Sequence, residues 1–255
     1  MSKKSQTWNL RIINSGNFIS FLKKLKLVDK SVPLELEGDL LFAKVRTPDK
    51  SVIKFVGVDV SEVLEGDIPP QRLKMGILEI GKLIDVFKYF GPEEEVTLII
   101  DSQPYDGGFI GTSIKFSSPS LNIFIKCADI SLLAYIDDNI QRGIHSTEGS
   151  GINFSIPRES FQKISSLTGI ESNAEELLNL DVHETGVTVR GNSFHFHIIR
   201  GSKVQGFTEP KVFTIYKNQF SYIDQEASEI HFHENRIVVK STESDSIIAI
   251  GLVEI

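Results

Sequence analysis

The feature that most constrains this chain is a recurrence. Four times a short strand runs into one compact amphipathic helix, and more strands follow. The fullest copy is Gly151 to Ile170, GINFSIPRESFQKISSLTGI. Pro157 ends the strand and suits the first helical position, where no backbone N–H is needed. Phe161, Ile164 and Leu167 then recur every third residue as one apolar stripe. The opposite face carries Arg158, Ser160, Gln162, Lys163, Ser165 and Ser166, and is polar and mildly basic.

The other copies repeat the pattern with little residue identity. Trp8 to Ile13 reads as a strand, Asn14 and Ser15 offer N-cap oxygens, and Phe18, Phe21, Leu22 and Leu25 form a helical stripe. Leu73 to Ile80 leads into Ile80, Leu83, Ile84 and Phe87, a helix through Phe90 that Gly91-Pro92 stops. Val212 to Tyr216 leads into Lys217 to Ile223, anchored by Phe220 and Ile223. Between these lie Gly38-Asp39 and Glu234-Asn235 as hairpin turns, a strand from Val52 to Ser61, and loops over Glu65–Arg72 and Gln103–Thr112. Leu121–Cys127 and Ser193–Arg200 read as further strands.

The period is roughly 60 to 75 residues, with boundaries uncertain by a few positions. The expected class is α+β: two similar domains, each with two such units, helices packed on one face of antiparallel sheets. The expected domains are residues 1–128 and 151–255, with 129–150 as the connector. Packed this way, the polar helix faces share one side of the protein.

Composition narrows the function classes. Apolar residues make up 40% of the chain, enough for a packed core. A single cysteine, Cys127, excludes an internal disulfide framework, and the start of the chain has no signal-peptide pattern. An intracellular, soluble protein is expected. The net charge of −7 by itself argues against nucleic-acid binding, but its distribution reverses that inference. The four helical segments hold Lys23, Lys24 and Lys26; Lys82, Asp85 and Lys88; Arg158, Glu159 and Lys163; and Lys217. They sum to +6 and leave −13 for everything else. A basic helical face on an acidic body suits a protein that tracks phosphate without reading bases. The plainer reading is that lysines merely solvate helix surfaces.

With these units on the page, the chain resembles the DNA sliding clamps. The resemblance spans Asn9 to Ile255. It rests on the unit order, on the strand-into-helix run Ile152-Asn153-Phe154-Ser155-Ile156-Pro157-Arg158-Glu159-Ser160-Phe161, and on the terminal hairpin Arg236 to Glu254. The length is similar to the two-domain, trimeric clamps, proliferating-cell nuclear antigen and the T-even bacteriophage type, with the phage type preferred.

That resemblance implies a homotrimeric ring and processivity factor, with helices toward duplex DNA, a DNA polymerase and a clamp loader as partners, and no catalysis or cofactor. It places Lys23, Lys24, Lys26, Lys82, Lys88, Arg158, Lys163 and Lys217 toward DNA. It makes Leu121, Asn122, Ile123, Phe124, Ile125 and Lys126 one subunit edge, and Phe194, His195, Phe196, His197 and Ile198 the matching edge of the next subunit. Proline at Phe124 or Phe196 is then expected to open the ring. A partner-peptide groove between connector and C-terminus would use Leu132, Leu133, Tyr135, Ile136, Leu252, Val253 and Ile255.

Two other function classes fit parts of the chain. A β-rich structural virion protein would lack the basic helix face. A metal-dependent hydrolase would use His195-x-His197 or His231-x-His233, each with two imidazoles on one strand face. Neither pair has a clear third ligand, and histidines on an outward sheet face are the commoner explanation. Gly107-Gly108-x-x-Gly111 is no phosphate loop, because neither lysine nor helix start follows it. Asp137-Asp138 suits solubility better than catalysis, and no G-x-S-x-G motif occurs.

Overall fold

A computed structural model describes residues 5–91, 94–169, 176–199 and 204–253. The chain divides into two compact units: Met1–Val45 with Phe55–Asp137, and Arg46–Lys54 with Asp138–Ile255. The connector region is shared, its first part belonging to the first unit and Asp138 onward to the second.

The first unit contains β1 (Gln6–Ile12), α1 (Ser15–Lys26), β2 (Val32–Glu37), β3 (Leu40–Arg46), the later part of β4 (Val52–Asp59), α2 (Val60–Val63), β5 (Leu64–Gly66), β6 (Leu73–Ile77), α3 (Ile80–Val86), β7 (Val96–Tyr105), β8 (Gly108–Ser117) and β9 (Asn122–Lys126). Its strand order is β4-β3-β2-β6-β8-β7-β1-β5, with β9 branching from β8. The pairings of β1 with β5 and β7, β2 with β3 and β6, and β8 with β7 and β9 are antiparallel, and β6 runs parallel to β8.

Helix α1 starts where expected, with the Asn14 side chain accepting from the Asn17 N–H at 3.0 Å. Phe18, Phe21, Leu22 and Leu25 are all buried, contributing about 1.5–3 kcal/mol each by removal from water. Phe18 meets Phe87 at 5.6 Å between ring centroids, and Phe87 meets Phe116 of β8 at 5.5 Å. This chain of rings seats α1 and the turn after α3 on one face of the sheet.

Three local expectations need correction. Val60–Val63 is a helical turn rather than strand, because Asp59 caps it through the Ser61 N–H at 2.8 Å. The expected loop over Glu65–Arg72 contains Gly66, the end of β5, paired with Leu10. The expected loop over Gln103–Thr112 is a continuous hairpin. Asp106 (φ 43°) and Gly107 (φ 77°) form its two-residue turn, and Tyr105 pairs with Gly108. A left-handed pair of this kind matches the twist of the flanking strands.

The second unit contains the early part of β4, α4 (Asp138–Ile144), β10 (Ile152–Ile156), α5 (Arg158–Thr168), β11 (Leu177–His183), β12 (Gly186–Arg190), β13 (His195–Ile199), β14 (Lys211–Tyr216), α6 (Lys217–Phe220), β15 (Ser228–Phe232), β16 (Arg236–Ser241) and β17 (Ser246–Gly251). Strands run β10-β15-β16-β17 and β13-β12-β11-β14, with neighbours antiparallel. Phe161 and Ile164 of α5, with Phe220 and Ile223 around α6, enter one core with Phe154, Leu180 and Ile230. Pro157 sits one position earlier than expected. It is the N-cap, with φ −71° and ψ 151°, and the helix begins at Arg158. Its ring fixes φ but leaves ψ extended, so it ends β10 and delivers the helix start together. Helix α6 is one turn rather than two, ending at Phe220, with Gln219 accepting from the Tyr216 N–H at 2.8 Å.

A buried ion pair in this unit has no signature in the sequence. Lys54 is fully buried and Asp224 is 9% exposed. Lys54 Nζ donates to Asp224 Oδ1 at 2.7 Å and to the Tyr222 carbonyl at 3.0 Å. Ser246 Oγ donates to Asp224 Oδ2 at 2.6 Å. Asp224→Ala would strand a buried ammonium and is expected to cost about 3–5 kcal/mol in urea unfolding. The double change Lys54→Met with Asp224→Leu should recover most of that loss, since no charge is then left buried. A loss under about 1 kcal/mol for Asp224→Ala would contradict the burial of this pair.

Candidate nucleic-acid interface and strand edges

In the first unit, α1 and α3 bring basic side chains side by side. A Cβ at Gly81 would stand 3.4 Å from Lys26 Nζ, so the end of α1 lies against the start of α3. Lys23, Lys26, Lys82 and Lys88 are exposed and Lys24 is half-buried. Lys82 pairs with Glu79 at 2.9 Å and Lys88 with Asp85 at 2.6 Å. The hydrogen bond and charge of Asp85 hold the Lys88 ammonium above its ordinary range, and Lys88 holds the Asp85 carboxyl below its own. The three lysines at the end of α1 also oppose the negative end of the helix dipole, which favours them there in any context.

The second unit contributes less positive charge. Lys163 is exposed on α5. Arg158 is ion-paired with Glu243, which holds the guanidinium above and the carboxylate below their ordinary ranges. Lys217 departs from expectation: it is 9% exposed, with Nζ 3.5 Å from Glu176 Oε2. It is the first residue of a one-turn helix, and its ammonium turns to Glu176, which precedes β11, the strand paired with β14. Lys82 and Lys88 are ion-paired as Arg158 is, so the basic charge is concentrated at the end of α1, in Lys23, Lys24 and Lys26.

The two strands expected to form edges each pair on one side. β9 pairs with β8, and β13 pairs with β12 as the end of its sheet. The Cys127 N–H bonds the Thr112 carbonyl, and the Ser118 N–H bonds the Leu121 carbonyl. Hydrogen-bonded and non-hydrogen-bonded pairs alternate along an antiparallel ladder. Ile123 and Ile125 thus bond to β8, while the backbone groups of Asn122, Phe124 and Lys126 point away from it. Phe124 is 69% exposed, Asn122 and Lys126 are exposed, and Leu121, Ile123 and Ile125 are half-buried. On β13, the Gly191 N–H to Phe194 carbonyl bond sets the same phase. Phe196 and Ile198 bond to β12, and His195 and His197 direct their backbone groups outward. Phe194 and Phe196 pack against the core and Ile198 is buried. His195 and His197 are exposed, with Thr188 Oγ1 2.8 Å from His197 Nδ1.

Of the connector residues, Leu132 is 77% and Tyr135 37% exposed, while Leu133 and Ile136 are buried. Lys74 Nζ lies 4.5 Å from the Tyr135 ring centroid and 3.2 Å from its hydroxyl. Nearby, Arg72 pairs at 2.6 Å with Glu35, whose carboxyl is fully buried and raised above its ordinary range by desolvation. Leu252 and Val253 are half-buried in the second unit, where the Val253 N–H bonds the Thr214 carbonyl at 2.9 Å. Ile255 lies outside the described residues.

Among the described residues no three His, Cys, Asp or Glu side chains group as metal ligands. His231 Nε2 is 3.6 Å from Glu229 and its Nδ1 3.3 Å from Ser150 Oγ. His195 and His197 stand on a different sheet. Burial pushes the Cys127 thiol up to about 11, so it is a packing group rather than a nucleophile. No helix among the described residues is long and apolar enough to cross a membrane.

No protein-family model and no curated protein matches the chain. Solved structures do share its fold over essentially its whole length. Proliferating cellular nuclear antigen from Entamoeba histolytica superposes with a TM-score of 0.71 at 9% identity, covering 100% of both chains. A structure of A. fulgidus PCNA bound by the C-terminal region of FEN-1 gives 0.67 at 11% identity, covering 97% of this chain and 99% of that one. The chain has the DNA-clamp fold. Identities this low separate no branch of that family.

Proposed function

We propose that this chain is a DNA sliding clamp, a ring that encircles duplex DNA and tethers a polymerase without chemistry of its own. The observation that carries this reading is the combination of two strand edges, β9 and β13, with the lysine-rich end of α1 in a clamp fold. Three copies would close by pairing β9 of one with β13 of the next, which satisfies outward backbone groups at both edges. Lys23, Lys24, Lys26, Lys82, Lys88, Arg158 and Lys163 would meet phosphate. A clamp must hold DNA yet slide, so long flexible cations and small polar neighbours such as Ser20 suit it better than base-reading groups.

A polymerase and a clamp loader are the proposed protein partners. The A. fulgidus relative is seen with a C-terminal segment of another protein. Leu132 and Tyr135, the exposed members of the connector set, would receive such a segment. Leu133 and Ile136 would act by holding the connector in place.

The test is topological and needs no loader. Clamp is threaded at high concentration onto linear duplex, whose biotinylated ends are then blocked with streptavidin. Retention through a high-salt wash is expected with blocked ends and loss with open ends. Equal loss from both DNAs would overturn the ring reading and leave the fold untouched.

A further inference from the structure

The second unit holds the segment from Asp138 to Ser150 against its sheet through three imidazoles and one guanidinium. His145 is 5% exposed; its Nε2 donates to the Ile53 carbonyl at 2.9 Å, and its Nδ1 accepts from Gln141 at 2.9 Å. The His231 Nδ1 meets Ser150 Oγ at 3.3 Å. The His233 Nε2 is buried without a hydrogen-bond partner, and the nearby Ser146 backbone only partly offsets the burial of its ring. Arg236 donates to the carbonyls of Ile144 at 3.0 Å and Gly143 at 3.4 Å.

We propose that Asp138–Ser150 is an acid-released strap, latched while His145, His231 and His233 are neutral and freed when they take up protons. The geometry opposes the charged forms. A second proton on His145 would be buried beside Arg236. A second proton on His233 would place an N–H where no acceptor stands, next to Arg236 and His231. Lys240 adds positive charge near His231, while Glu229 at 3.6 Å is the one carboxylate that favours its charging. On the strap itself Asp138 is half-buried, and Arg142 and Glu148 are exposed.

Burial is the largest influence on all three imidazoles and holds each below its ordinary 6.5. For groups depressed in the latched state, the released state binds protons first as pH falls. The latch is therefore complete above pH 6.5 and weakens below it, by up to about tenfold per pH unit for each imidazole that charges on release.

Hydrogen exchange of the full chain at pH 7.5, 6.5 and 5.5, corrected for intrinsic rates, tests this. Peptides covering 138–150 are expected to lose at least about tenfold in protection between pH 6.5 and 5.5, while those covering β16 and β17 keep theirs. Unchanged strap protection, or opening of 236–251 in step, would overturn the proposal. The His145→Gln, His231→Gln, His233→Gln triple variant should make strap protection independent of pH. Since that variant can lose the strap outright at every pH, imidazole NMR titration of the unaltered chain supplies the second criterion. A His145 midpoint below 6.5 supports the latch, and one at or above 6.5 overturns it.

Discussion

Phe124→Pro is expected to leave the chain folded and to convert a trimer, sedimenting near three times 28.5 kDa, into monomer. The reason lies in the phase of the β8–β9 ladder. Phe124 pairs with Lys115 at a position where the backbone bonds of β9 point away from β8. Proline there removes no bond within the chain, since edge strands tolerate proline whose missing N–H faces outward. It does remove the central donor of the exposed edge, flanked by Asn122 and Lys126, and sets a ring where a partner strand must approach. The far-ultraviolet circular dichroism should be unchanged. The sequence alone treats Phe196→Pro as equivalent, and the structure separates the two. The Phe196 amide faces β12, so that change would damage the chain's own sheet, and His197→Pro is the matching test on the second edge. A Phe124→Pro variant that remained trimeric would show that β9 is not the subunit edge.

Changing Lys23, Lys26, Lys82 and Lys163 together to glutamate is expected to weaken duplex binding, and so to cut the amount threaded before the ends are blocked, while preserving the proposed trimer. All four side chains are exposed on helix faces opposite the buried stripes, so the core loses nothing. Each phosphate contact removed should lower the salt slope of duplex binding by about 0.9. The loss should be uniform across DNA sequences, because phosphate contacts carry no base information. Charges beyond about 8–10 Å are screened at physiological salt, so the defect should be largest in low salt and shrink as salt rises. Lys217→Glu is the informative contrast: its ammonium is buried beside Glu176, and the change should destabilise the chain. Normal retention by the quadruple variant at every salt concentration would show that these helices do not face DNA.

Much of this architecture is legible in the chain because its signals are local and periodic. The stripes Phe18-Phe21-Leu22-Leu25 and Phe161-Ile164 are buried where the helical period places them. Gly38-Asp39 and Glu234-Asn235 turn where two turn residues separate apolar runs. Asp106-Gly107 carries the same kind of signal, but nearby Pro104, Gly108 and Gly111 make the stretch look like loop. In the structure a Cβ on Gly108 would stand 2.3 Å from the Arg72 carbonyl oxygen, so that glycine reports close packing rather than an irregular chain.

What the sequence by itself determined is most of the strands, the helices α1, α3 and α5 with their burial stripes, and the lysine-rich end of α1, all of which depend on neighbours within a turn or two. What only the tertiary structure decided depends on partners far along the chain. It pairs Lys54 with Asp224, 170 residues away, and turns Lys217 inward to Glu176. It ties up Arg158 with Glu243, which with the local pairing of Lys82 and Lys88 leaves the +6 weighted toward the end of α1. It also sets the ladder phase that aims the Phe124 amide outward and the Phe196 amide inward. A one-residue shift of register would exchange those two outcomes, and register is fixed by the packed face as a whole.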